Sequence, residues 1–240
     1  MPLTKSRKIL IREMLEALNR QVFSKINEDS NLCRPEFTDN FRDRLLLYHA
    51  FNADILNKKT FEFTFAKASE AAGREARIVS NPVNPGSDVI VNGTHYSLKT
   101  EASKGIKREK ITISKLMEAR WIRECRTKTD FDRLVKEKVL SHLKRYERIL
   151  ILRAYQTGTS RRSVEYQLVE IPLAILNSIK NLKSDDFSLP TKNNSSRASV
   201  KNESTTVFDI SLDGSVEKVT IRNLKLSVCF EHAIWRIEIY

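Results

Sequence analysis

The apolar positions of this chain change period several times along its length. Residues 8–26 repeat at helical spacing, with Ile11, Leu15, Leu18 and Val22 on one stripe. A second helical stretch covers about residues 39–57. A third is expected from Thr60, as N-cap, to Gly73, which can close its end. "EARIVS" then reads as a strand. Two more helices are predicted over about 114–125 and 130–146, the latter with Phe131, Leu134, Val135, Leu143 and Tyr146 on one face. "ERILILRAY" and "SVEYQLVEI" are expected as strands around the polar loop "QTGTSRR", and Pro172 opens a short helix, "LAILNSIKN". Residues 183–204 are polar and aperiodic, as a mobile loop would be. Residues 205–240 look all-β, with a turn at Asp213-Gly214. This order predicts an α/β fold: a central mixed β-sheet flanked by helices, with a β-rich C-terminal part. The expected organisation is an N-terminal helical segment (1–38), a core (39–182), the loop (183–204) and a C-terminal β segment (205–240) packed on the same domain.

Between the third helix and the later strands lies "NPGSDVIVNGTHYSLKTEAS", residues 84–103. Asn92-Gly93 is a strong two-residue hairpin turn, because both residues tolerate positive φ. A turn centred there pairs Val91 with Thr94, Ile90 with His95, Val89 with Tyr96, and Asp88 with Ser97. Alternation then puts Val89, Val91, Tyr96 and Leu98 on one apolar face. Asp88, Ser97, Lys99 and Glu101 share the other.

Composition narrows the setting. The chain has 240 residues and is 40% hydrophobic, enough to bury a real core. Its formal net charge is +12. A balance this basic fits a polyanionic partner, with a lysine-rich solubilising surface as the plain alternative. Cys33, Cys125 and Cys229 are odd in number and far apart, so they suit neither a disulfide framework nor a zinc cluster, and the four histidines have no ligand spacing. The charged amphipathic N-terminus has no signal-peptide core, and no apolar run approaches a membrane span. A soluble cytoplasmic protein is expected, with no membrane partner.

An aspartate and a lysine on adjacent strands can be a simple ion pair, worth about 0–1 kcal/mol when exposed. The same parts also suit metal-assisted phosphodiester cleavage. Carboxylates hold a hard cation such as Mg²⁺. A lysine can orient the attacking water and stabilise charge on the phosphate.

The pattern resembles the PD-(D/E)xK nuclease motif, with Asp88 as its aspartate and Lys99 as its lysine. Pro85 is displaced, since the chain reads "PGSD", and Ser97 stands where the middle acid belongs. Glu101, two residues past Lys99 on the same face, can supply the missing charge. The wider sequence resembles the SmaI family of type II restriction endonucleases from about Phe41 to Trp235. "FRDRL", "KTFEFTF", "NPGSDVIV", "LKTEAS", "ISKLME", "YERI" with "LR", "YQLVEIP", and "LDG" before "HAIW" carry it, in that order. The family likewise has an uncharged residue at the Ser97 position.

The resemblance implies a restriction-endonuclease-like fold, with residues 39–182 as the nuclease core. It implies a Mg²⁺-dependent homodimer cutting both strands of double-stranded DNA at a short palindrome, CCCGGG-like and blunt. A DNA methyltransferase would be its genetic companion. It makes Asp88, Ser97, Leu98 (through its carbonyl) and Glu101 candidate metal ligands. Asp88, Lys99, Glu101 and Glu62 become the candidate catalytic set, Glu62 because nucleases of this fold often place a helix acid near the metals, with Glu70 as runner-up. Lys104, Lys107, Arg108, Lys110 and Lys115, in a loop expected to enter a helix, are candidate DNA contacts, as are Arg161, Arg162 and, more weakly, Arg197. A solvated charge run is the alternative for each. Two other functions stay open: a repair or mobile-element nuclease of the same fold, and an inactive DNA-binding protein.

Overall fold

The computed structural model describes residues 3–79, 86–102, 105–157 and 162–239, with the backbone alone at 157 and 162. In chain order the elements are α1 (Lys5–Leu18), β1 (Phe23–Ile26), α2 (Pro35–Phe51), α3 (Lys58–Ala71), β2 (Ala76–Ile78), β3 (Val89–Val91), β4 (Thr94–Glu101) and β5 (Lys110–Glu118). Then come α4 (Lys128–Leu134), a π-helical turn (Val135–Val139), α5 (Leu140–Leu143), β6 (Arg148–Thr157), β7 (Arg162–Glu170) and α6 (Leu173–Asn177). The chain closes with β8 (Ser196–Asn202), β9 (Thr205–Asp213), β10 (Lys218–Lys225) and β11 (Phe230–Ile239).

A seven-stranded sheet runs β1-β11-β7-β6-β4-β3-β2, and a four-stranded sheet runs β5-β10-β9-β8. The large sheet is mixed: β4 and β6 pair in parallel, the other neighbours antiparallel. One of its faces packs on α2 and α3. There Phe37, Phe41, Phe61 and Phe65 are fully buried, and Phe41 stacks on Trp235 at 4.8 Å between ring centroids. Truncating such a ring costs about 3–5 kcal/mol. The other face, through Ile149, Ile151 and Val169, joins a core shared with α4, α5 and the small sheet. The mixed α/β architecture is the expected one.

Four details differ from the sequence reading. The first helix stops at Leu18, and residues 23–26 form edge strand β1 on β11. The stripe on α1 is not core: Ile11, Leu15 and Leu18 are 40%, 55% and 37% exposed. Secondly, α3 is capped by the side chain of Asn57, which accepts from Thr60 N–H at 3.0 Å, so the helix starts before Thr60. Thirdly, the helix expected over 114–125 is strand β5 followed by a 3₁₀ turn at Arg120–Glu124. Its register against β10 shifts between Ile113 and Met117. That bulge buries Ile113 and Leu116 three residues apart, which imitates helical spacing.

Fourthly, residues 183–204 are not one loop, because Ser196–Asn202 is β8, paired with β9. Its buried positions are Ser196, Ala198 and Val200. Two of these are too small or polar to register as an apolar alternation. The C-terminal strands divide between the sheets, β9 and β10 in the small one and β11 in the large one.

Candidate active site

The hairpin of β3 and β4 has the register read from its turn: Val89 faces Tyr96, Ile90 faces His95, and Val91 faces Thr94. Asn92 and Gly93 take φ of 46° and 80°. Val89, Val91, Tyr96 and Leu98 are buried on the α2–α3 side. The expected pairing of Asp88 with Ser97 is not formed: the Asp88 N–H donates at 2.7 Å to the carbonyl of Tyr96, already the partner of Val89, so the chain bulges there. Its carboxylate turns back toward β4. There Oδ2 accepts from the Leu98 N–H at 2.6 Å and from the Ser97 hydroxyl at 3.5 Å. The N–H and C=O of a strand residue leave on the same side, so the Leu98 carbonyl also opens toward Asp88. Gly86 brings the chain into this turn. A Cβ there would stand 2.8 Å from Arg145 Cβ, so no larger residue fits.

Helix α3 supplies the opposite wall. Phe61 and Phe65 anchor one face of it in the core, which leaves Lys58 and Glu62, one turn apart, on the neighbouring face. The Lys58 ammonium lies 2.7 Å from Asp88 Oδ1 and 3.1 Å from Glu62 Oε1, so one lysine bridges the two carboxylates. Burial works against its charge, but the hydrogen bonds and charges of Asp88 and Glu62 overcome it and raise its pKa. Lys99, on β4, forms no ion pair among the described residues. Burial, only partly offset by Asp88, lowers its pKa from 10.5 to about 8. Lys58, Asp88 and Lys99 line a cleft of about 840 Å³ with Lys115, Lys138 and Arg145. Glu118 and Glu137 line it too, paired with Lys115 and Lys138, so the cleft keeps a cationic excess, which suits an anionic chain.

The expected companion of this cluster, Glu101, is elsewhere. It is buried, and its carboxylate is fully engaged. Oε2 accepts from Arg153 Nε at 2.7 Å and Oε1 from the Thr112 N–H at 2.8 Å. Burial raises its pKa, with Arg153 and Thr112 pulling the other way. Glu101 pairs with neither Lys99 nor Asp88, and the acid beside Asp88 is Glu62. Ser97 is buried, and its hydroxyl serves Asp88. Glu70 points away, paired with Lys67 at 2.6 Å.

Of the basic candidates, Lys115 lines the cleft from β5, not from the start of a helix. Lys107 is exposed on the loop before β5, and Lys110 is exposed at the first position of that strand. Arg108 is held by Glu165 and lies 4.5 Å over the Tyr155 ring. Lys104 and Arg161 lie outside the described residues, as does Pro85, and so does the side chain of Arg162. Arg197 is exposed on β8 of the small sheet. Sequence reasoning missed Lys58. The only signal for it is the i, i+4 spacing to Glu62, which many solvent-facing pairs share.

Two carboxylates beside a half-buried lysine at the wall of a cleft with an excess of cations describe an enzyme that works on a polyanion, and the relatives of the chain say which. The SmaI family, type II site-specific deoxyribonuclease, matches residues 16–237. The type II restriction enzyme SmaI of Serratia marcescens is 34% identical over 213 residues, a match spanning 83% of this chain and 79% of that one. A restriction endonuclease solved in complex with substrate DNA is 15% identical, with a TM-score of 0.36, over 82% of this chain and 88% of that one. That last likeness is too slight to carry weight. The chain is a nuclease of the restriction type. It belongs to the SmaI family of type II site-specific deoxyribonucleases.

Proposed function

We propose that the chain acts as a Mg²⁺-dependent homodimer that cuts both strands of a short G·C-rich palindrome, CCCGGG-like, leaving blunt ends. A twofold DNA site calls for a twofold protein. Its setting would be the cytoplasm, beside a methyltransferase that protects the host DNA. No helix among the described residues is long and apolar enough to cross a membrane.

The observation that carries the reading is the bridged pair of Asp88 and Glu62 next to Lys99. The donor set fits a hard divalent ion: two carboxylates and the Leu98 carbonyl are all oxygen, and a cationic ammonium already sits between the acids. Among the described residues no cluster of three or more His, Cys, Asp or Glu side chains forms, so backbone and substrate oxygens would complete the shell. Such an ion, when bound, supplies positive charge for the phosphate and acidifies water.

The chain's own residues do the rest. Ser97 and the Leu98 N–H fix the Asp88 carboxylate through Oδ2. Lys99, with its lowered pKa, orients the attacking water and holds charge against the phosphate. Glu101 acts at one remove, by tying the end of β4 to Arg153. Lys107, Lys110 and Lys115 offer charge to the DNA backbone, and arginines or lysines reading guanine O6 and N7 would suit the proposed site.

The test is a digest of plasmid DNA carrying CCCGGG, with and without Mg²⁺, followed by sequencing of the fragment ends and sedimentation of the protein. Discrete blunt fragments at that site, only with Mg²⁺, from a dimeric protein support the reading. A smear, or cutting in chelator, rejects it.

A further inference from the structure

Lys58 stands where the proposed site needs positive charge. Its ammonium touches Asp88 Oδ1 at 2.7 Å and Glu62 Oε1 at 3.1 Å, and these are the oxygens a metal ion would take. Two carboxylates facing one point repel each other, and in the metal-free protein a lysine one helix turn before Glu62 relieves that repulsion. The lysine is not sealed in. Its side chain is 43% exposed, against 19% for Asp88 and 16% for Glu62, and it lines the cleft. A flexible, half-exposed ammonium can swing into the cleft at small cost, whereas the Asp88 carboxylate is held by the Leu98 N–H and both acids are the less exposed groups. The cleft is also where a DNA phosphate would enter.

We propose that Lys58 is a resident counter-cation which a divalent ion must displace, and that a DNA phosphate in the cleft receives it. The inference rests on the metal-ion reading of Asp88 and Glu62. It makes ion loading and DNA binding cooperative. Without DNA, Lys58 competes with the ion. With DNA, the phosphate draws the ammonium away and the two carboxylates are released together. By linkage the ion then strengthens DNA binding by the same factor that DNA strengthens ion binding. The phosphate also offers oxygens to the ion, so some coupling would persist without Lys58, but less of it.

The test titrates Ca²⁺ into the full-length protein by calorimetry, with and without a non-cleavable cognate duplex, for wild type, Lys58→Met, Lys58→Arg, Asp88→Asn and Glu62→Gln. Lys58→Met is expected to bind Ca²⁺ about five- to tenfold more tightly than wild type without DNA, as removal of a part-exposed competing charge predicts. The gain in Ca²⁺ affinity on adding DNA should shrink by the same factor. Lys58→Arg keeps the charge and should stay near wild type, which separates competition from loss of packing. Unchanged or weaker Ca²⁺ binding by Lys58→Met, while Asp88→Asn and Glu62→Gln lose it, overturns the inference and leaves the metal site standing. If Asp88→Asn and Glu62→Gln bind Ca²⁺ like wild type, the metal assignment itself falls, and this inference with it.

Discussion

Strand β4 ends in two charged clusters, centred on Lys99 and Glu101, two residues apart on the same side of one strand. The cluster at Glu101 is closed. Arg153 is fully buried, and its donors reach Glu101, Gln167 and the carbonyls of Lys107, Arg108 and Lys110 at 2.6–3.0 Å. Those five acceptors use the five N–H groups of a guanidinium. The cluster around Lys99 is open. It uses lysines, which are point charges on flexible stems, and it lies in a cleft. One cluster has no capacity left for a ligand, and the other holds a half-buried ammonium without an ion pair among the described residues and two acids sharing a movable cation. Charge at the end of the same strand is thus divided between structure and chemistry by which cation meets it.

The sharpest way to break that division is at the open cluster. Asp88→Ala and Lys99→Ala should each slow single-turnover cleavage by about 10²–10³-fold or more, the usual loss when a group stabilising transition-state charge is removed. DNA binding measured in Ca²⁺ should survive Lys99→Ala within a few-fold. Turnover near that of wild type in either purified variant would refute the assignment.

A paired comparison of the two acids comes next. Glu62→Gln should cripple cleavage while the urea midpoint barely moves, since its ion-pair partner is the half-exposed Lys58 and the change keeps the side chain's size. Glu101→Gln should do the reverse. It leaves the Arg153 charge buried with a neutral partner, and breaking such a pair costs about 3–5 kcal/mol of stability. Urea unfolding and single-turnover rates on the same preparations decide it, and equal effects on both measures would erase the distinction between clusters.

A second closed cluster sharpens the point through pH. Glu170 takes hydrogen bonds from Arg148 and from His232 at 3.0 Å. Burial would raise its pKa, yet these partners hold it down at about 2, from 4.5. A carboxyl depressed in the folded state stabilises the fold above its unfolded pKa, and that stability is lost as pH falls from about 4.5 toward about 2. Wild type should therefore lose on the order of 2 kcal/mol over that window relative to Glu170→Gln, read from urea midpoints at each pH. Parallel curves for the two proteins would show that the cluster contributes nothing through its charge.

The same contrast explains what was legible in the chain. The hairpin could be read from its turn as far as Val89 and Tyr96, because Asn92-Gly93 fixes the register and alternation then assigns the faces of Ser97, Lys99 and Glu101, while Asp88 falls one residue beyond the paired stretch. The partners of those residues could not. Arg153 meets Glu101 from 52 residues away and Lys58 meets Asp88 from 30, and neither separation leaves a periodic trace. Glu101 consequently resembled a second catalytic acid, since facing and charge are visible in sequence and engagement is not. Strand β5 was hidden by its bulge, and β8 by its small buried residues.

The smallest expected effect lies at the proposed DNA-facing lysines beside the closed cluster. The loop before β5 and the first residue of that strand hang from Arg153 by their carbonyls, so Lys107 and Lys110 project from a fixed backbone although their side chains are exposed. A held loop places its charges at constant positions, which suits phosphate binding better than a search over many bases. Each phosphate that a protein neutralises contributes about −0.9 to the slope of log K against log[salt]. Lys110→Gln should therefore flatten the slope by about one unit for each phosphate it leaves unneutralised, with no change in the ranking of cognate and single-mismatch duplexes. If Lys110 reads a base instead, the slope should hold while discrimination at one position relaxes by about 1–3 kcal/mol. Titrations in Ca²⁺ at several salt concentrations separate the two. Arg153→Lys provides the control that ties the loop to the closed cluster. It keeps the charge but cannot reach all five acceptors, so it should flatten the slope without removing any lysine from the loop. A slope unmoved by either variant would put the loop on the solvated surface and transfer phosphate binding to Lys115 and the other cations of the cleft.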